Sequence, residues 1–533
     1  MEVYGAFETA GQASESGPTA GISSSQPKLN AIPSQPSGGD MREHHPPPEI
    51  GPSFRAQSPS ANQLTFSLGI TFSQGHAFAD ALLDSECSGP NPPSLSLIVM
   101  FLSDRYSTAR VQYTTDPTFS GSFAFPLPDM SSVYVRSEDA PDVSSYDNGE
   151  YSAPAPVEYE SLLAIASPLQ FLLLRHPANG GPASLVATAR CDWRLALVHG
   201  RLDHDVSLVS DTEDISLGIV PVTLSLSANV NSSPAYFASS ALSPALVMHR
   251  IAEDQRSEHE RLAQQQAIAR AWWLRLERSA PLATAAAAAR AVCAPQLYVR
   301  NETGVLRLVS SFVRPADWAP GVLDSPLHAA RFVRLIPFLE RSSGPSGERA
   351  RRWSSLPSFL AQGAGSCVEH AVLLCSLFLG FGLDAYVVTG SALVSASDTG
   401  AGVIAAGSSG SNEDTNGLSN TLPAPYVWVA TVAPATKRAV FWDAATARSY
   451  PVRAGVAIPF RAVSSVFRHD AFYAALKPTV APAELVFDFT LGKEAGGADT
   501  EAMMLRGNGC WLAFPPAAIR AAGPVLPLNI QKR

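Results

Sequence analysis

A chain of 533 residues, 46% hydrophobic and 16% charged, is long enough for two or three globular domains and apolar enough to give each a core. Its formal net charge of -9, with no long basic run, argues against nucleic acid as a main ligand, because phosphate neutralisation needs clustered Lys and Arg. The six cysteines (Cys87, Cys191, Cys293, Cys367, Cys375, Cys510) form no CxxC pair, which argues against a zinc knuckle or a disulfide framework and predicts reduced thiols.

The opening MEVYGAFETAGQASES has neither a basic nor an apolar region of the kind a signal peptide needs. The most apolar stretch, LLAIASPLQFLLL (162–174), is too short and interrupted to span a bilayer. A soluble intracellular protein is the expectation. Residues 1–60 are rich in Ser, Pro, Gly and Gln and are expected to form a disordered tail. Over 61–230 the pattern changes to short apolar runs (LTFSLGITF, LSLIVMFL, FAFPL, LQFLLLRH, SLVATARCDW, LGIVPVTLSLS) separated by turn residues, which predicts an all-β sandwich. Residues 131–156 read as a long polar loop inside it.

Residues 241–292 hold strong helix formers and are expected to be a helical linker packed on one domain. No clean heptad persists that would support a coiled coil instead. A second unit, an α+β domain, is expected over 293–490: strands at LYVRN and GVLRLVSSFV, helices at DSPLHAARFVRLIPF and SLPSFLAQGAGSCVEHAVLLCSLFLGFG, then strands at 384–390, 425–432 and 438–445. The Gly- and Ser-rich 391–424 reads as a mobile loop between two of these strands, and 491–533 as an irregular C-terminal segment.

The most informative segment is GAGSCVEHAVLLCSLFLGFGLDAYVVTG, 363–390. Ser366 is placed to cap a helix, which puts Cys367 in its first turn, where backbone N–H groups and the helix dipole favour a thiolate. A helix-borne cysteine followed by strands carrying His and Asp is how papain-like and transglutaminase-like enzymes build a nucleophile. The transglutaminase-like pattern C-x-E-x-A, then HAW, then W…D is met by Cys367, Glu369 and Ala371, and by Trp442 and Asp443. It fails in the middle, where Tyr426 stands two residues before Trp428 in place of histidine. A phenol with a reference pKa near 10 cannot take a proton from a thiol at neutral pH as an imidazole does. After Cys367 the only other histidines are His370 and His469; either serving as base is the alternative, an active peptidase or transamidase using Cys367 and Asp443. The blander readings are that Cys367 is a small buried hydrophobe, that Cys375 is core, and that Trp428 and Trp442 pack the sheet against the helix.

Calcium-binding sandwiches of this kind need aspartates converging from two loops. Asp80, Asp84, Asp104 and Asp116 are candidates on one side, yet the facing loop 175–184 holds no acidic residue. No metal or cofactor is expected, and membrane docking has little support.

The sequence resembles the 76-kDa centrosomal protein family. The resemblance rests on WWLRLERS (272–279), LYVRNETGVLRLVSSFVRP (297–315), LDSPLHAARFVRLIPF (323–338), SCVEHAVLLCSLFLGFGLDAYVVTG (366–390), VFWDAATARSY (440–450) and VFRHDAFYAALKPTVAPAELVFDF (466–489). DALLDSE (80–86) and TDPTFSGSFAF (115–125) resemble that family's C2 domain. It implies a C2-like sandwich followed by a degenerate transglutaminase-like domain, in a non-catalytic scaffold of centrosomes, centrioles and ciliary basal bodies that takes part in control of centriole duplication. The expected partners are centriolar and ciliary proteins, with a peptide or helix held in the degenerate cleft beside Glu369, His370, Trp428 and Trp442. The chain departs from the family in the YVWV strand, in the length of 391–424, and in stopping near 533 where the family continues.

Overall fold

The computed structural model describes residues 65–78, 92–102, 104–128, 162–210, 215–229, 242–279, 295–317, 323–339, 352–394, 422–477, 481–489, 505–506, 509–521 and 528–529. The 1–60 tail, the 131–156 loop and all of the 391–424 loop except its ends lie outside these residues.

The N-terminal lobe is built from β1 (Thr65–Phe72), β2 (Ser94–Phe101), β3 (Asp104–Ser107), β4 (Val111–Gln112), β5 (Ser122–Pro126), β6 (Leu169–His176), β7 (Ser184–Cys191), β8 (Arg201–Ser210) and β9 (Ser216–Asn229). All pairings are antiparallel, in the order β3-β2-β6-β7-β8-β9-β1-β5 with β4 beside β2. β7 touches β8 only at Ala187–Ser210 and Thr188–Val209, so the sheet folds there into two leaves. Alternate residues of both leaves, such as Leu97 and Val99 on β2 and Leu68 and Ile70 on β1, enter one core. β2 is buried on both faces: Ile98 and Met100 point the other way, into a small cluster with Leu172, Leu174 and Ala183 that receives Ala361 from the second lobe. The polar β8 is a strand that apolar runs could not announce, since its first five residues carry no buried side chain.

The linker is one helix, α1 (Pro244–Ser279), of 36 residues and so about 54 Å long. It does not pack on a single domain as expected. Val247 and Ile251 enter the first core, whereas Trp272 and Leu276 enter the second. The buried Arg194 ties its early turns down by pairing with Asp254 and, at 2.8 Å, with Asp192. Trp272 fixes its last turns: the indole Nε1 donates to the Ala513 carbonyl at 2.9 Å, and the ring meets Phe472 and Phe514 edge-on.

The C-terminal lobe begins with β10 (Tyr298–Asn301), β11 (Leu306–Leu308), β12 (Ala316–Asp317), α2 (Pro326–Arg334), β13 (Arg352–Trp353), α3 (Leu356–Gln362) and α4 (Cys367–Gly380). Then come β14 (Ala385–Val394), β15 (Leu422–Val432), β16 (Ala439–Asp443), β17 (Arg448–Pro451), β18 (Phe460–Arg468), β19 (Ala471–Ala475), β20 (Leu505–Arg506), β21 (Trp511–Ala513), α5 (Pro516–Arg520) and β22 (Leu528–Asn529), the last pairing with β12. The main sheet runs β17-β16-β15-β14-β18-β19-β21-β20. Val387, Val429 and Phe467 on one face pack on α4, while Tyr386, Val388, Tyr426 and Trp428 face a second cluster with Phe441, Phe460 and Trp511.

Two boundaries need correction. Both ends of the expected 391–424 loop are strand, Ser391–Val394 pairing with Leu422–Pro425. Residues 491–533 are not wholly irregular: β21 extends the main sheet beside β19, and Trp511, Leu512 and Phe514 are buried in the lobe's cores. The lobes also meet directly. Thr188 Oγ1 donates to the Glu302 carbonyl at 3.3 Å, Gln362 Nε2 donates to the Ala183 carbonyl at 3.1 Å, and Arg307 lies 3.6 Å from Glu258 of α1.

Candidate functional site

α3 stops at Gly363, whose φ of +69° turns the chain into the left-handed region and returns its N–H to Phe359. Three residues later α4 starts with a complete capping box. Ser366 Oγ accepts from the Val368 N–H at 3.3 Å, and Glu369 Oε2 accepts from the Ser366 N–H at 2.9 Å. The other Glu369 oxygen takes the Ser354 N–H at 3.0 Å. This start sets Cys367 at the helix tip, against the cluster that holds Tyr426 and Trp428.

Tyr426 is brought opposite Gly390 by the β14–β15 register. Gly390 sits at an irregularity of the β14–β18 pairing, where a Cβ would come within 2.0 Å of the Ala462 carbonyl oxygen and 2.6 Å of the Trp428 ring. Glycine there lets Trp428 stack on Phe460 at 4.4 Å. The Tyr426 hydroxyl donates to Asp443 Oδ1 at 3.0 Å. Asp443, fully buried at the end of β16, also accepts the Ala445 N–H at 3.1 Å and, on Oδ2, the Thr446 hydroxyl at 2.5 Å. Cysteine, phenol and carboxylate thus stand in the order of a protease triad, with the phenol making the bond to the acid that an imidazole would make.

Burial raises the pKa of each of these groups. Burial pushes the Cys367 thiol up to about 12, and the Glu369 and Asp443 carboxyls push the same way; the Val427 amide opposes them. A helix N-terminus lowers a thiol pKa, but here desolvation wins. Burial, then Asp443, holds the Tyr426 phenol well above its ordinary value. Burial also raises the Asp443 carboxyl, against its hydrogen bonds from Thr446, Tyr426 and Ala445.

Neither alternative base reaches the sulfur. The His370 ring is buried between Phe338 and Phe359, with Nδ1 at 2.7 Å from the Ser366 carbonyl and Nε2 at 3.0 Å from the Ile336 carbonyl. His469 follows Phe467, which pairs with Val387, whereas Tyr426 pairs with Gly390 three residues further along β14. The His469 hairpin therefore lies toward the other end of the strand. Burial depresses its imidazole pKa.

The cleft assignment is corrected for three residues. Glu369 is the helix cap, His370 is locked between two carbonyls, and Trp428 is fully buried, so none offers surface to a ligand. Trp442 does pack the sheet on the helix, 5.1 Å from Phe378; Trp428 faces the opposite side, toward Phe441 and Phe460. Cys375 is core. In the N-terminal lobe Asp80 and Asp84 lie outside the described residues, Asp104 pairs with Phe101 in the β2–β3 hairpin, and Asp116 faces His76 at 3.7 Å. Among the described residues no group of three His, Cys, Asp or Glu could hold a metal, and no helix is long and apolar enough to cross a membrane. Sequence reasoning missed Thr446 as an Asp443 partner and Gly390 as the gap that admits Trp428. Its only sign of Thr446 was a hydroxyl residue three positions after the acid.

The chain has relatives of known name. Residues 60–232 match the CEP76 C2 domain, and residues 351–494 match the CEP76 peptidase-like domain. The centrosomal protein of 76 kDa from Danio rerio is 25% identical over 460 residues, 83% of this chain and 60% of that protein. The Homo sapiens protein is 27% identical over 345 residues, 62% of this chain and 45% of that protein. The chain spans about half the length of the curated relatives it matches. Among solved structures, a C2 domain-containing protein from a putative elicitor-responsive gene covers 33% of this chain at 13% identity, with a TM-score of only 0.20. Two domains of one family, in its order and together spanning more than half of the residues, fix the assignment: the chain belongs to the 76-kDa centrosomal protein family.

Proposed function

We propose that this protein is a non-catalytic centrosomal scaffold, whose second lobe keeps the frame of a transglutaminase-like cysteine-protease site without its base. The observation that supports this most is the bond from the Tyr426 hydroxyl to Asp443. It fills the place of the imidazole with a group that cannot accept a thiol proton near neutral pH. The raised thiol adds to it, since a protonated sulfur is a poor nucleophile. The names of the relatives support a place at the centrosome; binding of centriolar and ciliary proteins and a part in centriole duplication are extensions of the same reading.

Thiol kinetics test the chemistry. With a thiol near 12, alkylation of Cys367 by iodoacetamide at pH 7.4 is expected to run roughly a thousandfold slower than for a free cysteine, whose thiol pKa is about 8.5. Labelling of Cys367 faster than free cysteine, together with amide hydrolysis lost in Cys367→Ala, would falsify the non-catalytic reading. Placement is tested separately. The tagged full chain is expected to coincide with a centrosomal marker in cells, and a diffuse signal would count against the scaffold.

A further inference from the structure

Where β2, β3 and β6 meet the end of α3, the two lobes leave a cavity of about 730 Å³. Its chemistry is one-sided. Arg105 on β3, Arg110 just beyond it and His176 at the end of β6 line one wall, together with the hydroxyls of Ser107 and Thr108. Gln362 of α3 lines the cavity from the second lobe, and among the described residues no carboxylate lines it.

The cations lack counter-charges. Among the described residues neither Arg105 nor Arg110 has an ion pair or hydrogen-bond acceptor. Burial alone lowers the Arg105 pKa, with no opposing carboxylate. His176 is depressed by burial and then by the positive charge of Arg110. The fully buried Arg194, by contrast, pairs with Asp192 and Asp254. Leaving the half-buried Arg105 guanidinium uncompensated costs stability, and the exposed Arg110 adds a second unpaired cation beside it, which describes a site whose counter-ion comes from outside.

We propose that this seam between the lobes binds a compact, soluble phosphate ester of the size of an inositol polyphosphate. Guanidinium groups present planar pairs of N–H donors that match phosphate oxygens. The cavity lies within the roughly 300–1,000 Å³ typical of small-molecule sites. A soluble anion is favoured over the same headgroup in a bilayer. Leu360, Ala361 and Gln362 wall the site on the side away from the sandwich, and the Gln362–Ala183 bond closes the seam there. A flat membrane cannot enter such a slot.

Calorimetry on the full chain, with myo-inositol hexakisphosphate and separately with inorganic phosphate, tests this. One-to-one binding of the hexakisphosphate is expected, weaker for inorganic phosphate and weakened by added salt. Combined Arg105→Gln and Arg110→Gln substitution should lower the affinity at least tenfold while the ligand-free melting temperature stays level or rises. Should that pair fail to fold, the exposed Arg110→Gln alone should still weaken binding severalfold. No heat at millimolar hexakisphosphate, or unchanged affinity in Arg110→Gln, overturns the site. Vesicles of phosphatidylcholine with phosphatidylinositol 4,5-bisphosphate are expected to capture no more chain than phosphatidylcholine alone. Capture as tight as the soluble anion would overturn the soluble source.

Discussion

The protease-like site and the seam cavity treat buried polar groups in opposite ways. At the first, Asp443 collects donors from Tyr426, Ala445 and Thr446, Glu369 closes a helix start, and His370 faces two carbonyls. At the second, the half-buried Arg105 stands beside the exposed Arg110 with no ion pair, and among the described residues no carboxylate lines the wall. A buried polar group bonded within the chain needs nothing further from outside, whereas an unpaired one carries a standing cost that a ligand can relieve. The position that looks like an active site by pattern is therefore the self-contained one, and the position without any motif is the one open to a partner.

Four substitutions sharpen or break that contrast. The largest effect belongs to Gly390→Ala, whose new methyl would press on a backbone carbonyl and on Trp428; a loss of about 3 kcal/mol in urea unfolding is expected. A neutral result would mean the packing around Tyr426 is loose. Tyr426→Phe removes one donor from buried Asp443 and should cost about 1–2 kcal/mol. No cost at all would mean that the bond does not hold the site together.

Asp443→Asn reads the same site through pH. Burial raises the Asp443 carboxyl above its ordinary 3.8, so folding favours its protonated form. That contribution is complete below pH 3.8 and is lost as pH rises through the folded value, while the amide does not titrate. The urea midpoint of the variant should therefore gain on the parent as pH rises from acid toward neutral; a constant difference would contradict a raised carboxyl. The smallest effect is expected in the seam. Arg105→Gln without ligand should change stability by no more than about 0.5 kcal/mol, or raise it, because no internal bond is lost. A loss comparable to that of Tyr426→Phe would show that Arg105 has an internal role and would end the contrast.

Much of the frame was legible in the chain. The runs at 94–101, 169–176 and 184–191 became strands, and Ser366 announced the start of α4 as its cap. The place of Tyr426 on a strand, two residues before Trp428, was legible too, because the flanking pattern fixed the strand. β8 was hidden, since Leu202 is the one apolar side chain among its first five residues and leaves no apolar run. The place of β21 was hidden for another reason: three residues at 511–513 gain meaning only when β19 presents an open edge to them. The face of Trp428 depended on strand parity relative to α4, which no local spacing reveals. The seam was beyond reach altogether, as Arg105 and Gln362 are far apart in sequence and meet only through the packing of two domains.

α1 joins two cores as a girder joins two piers. Fragments cut at the edges of the matched regions, 60–232 and 351–494, would each leave this helix behind. The first would bare the groove vacated by Val247 and Ile251, and the second that of Trp272 and Leu276. Such pieces should clump when expressed alone, and a pull on one half of the intact protein should be felt in the other as strain along a single axle.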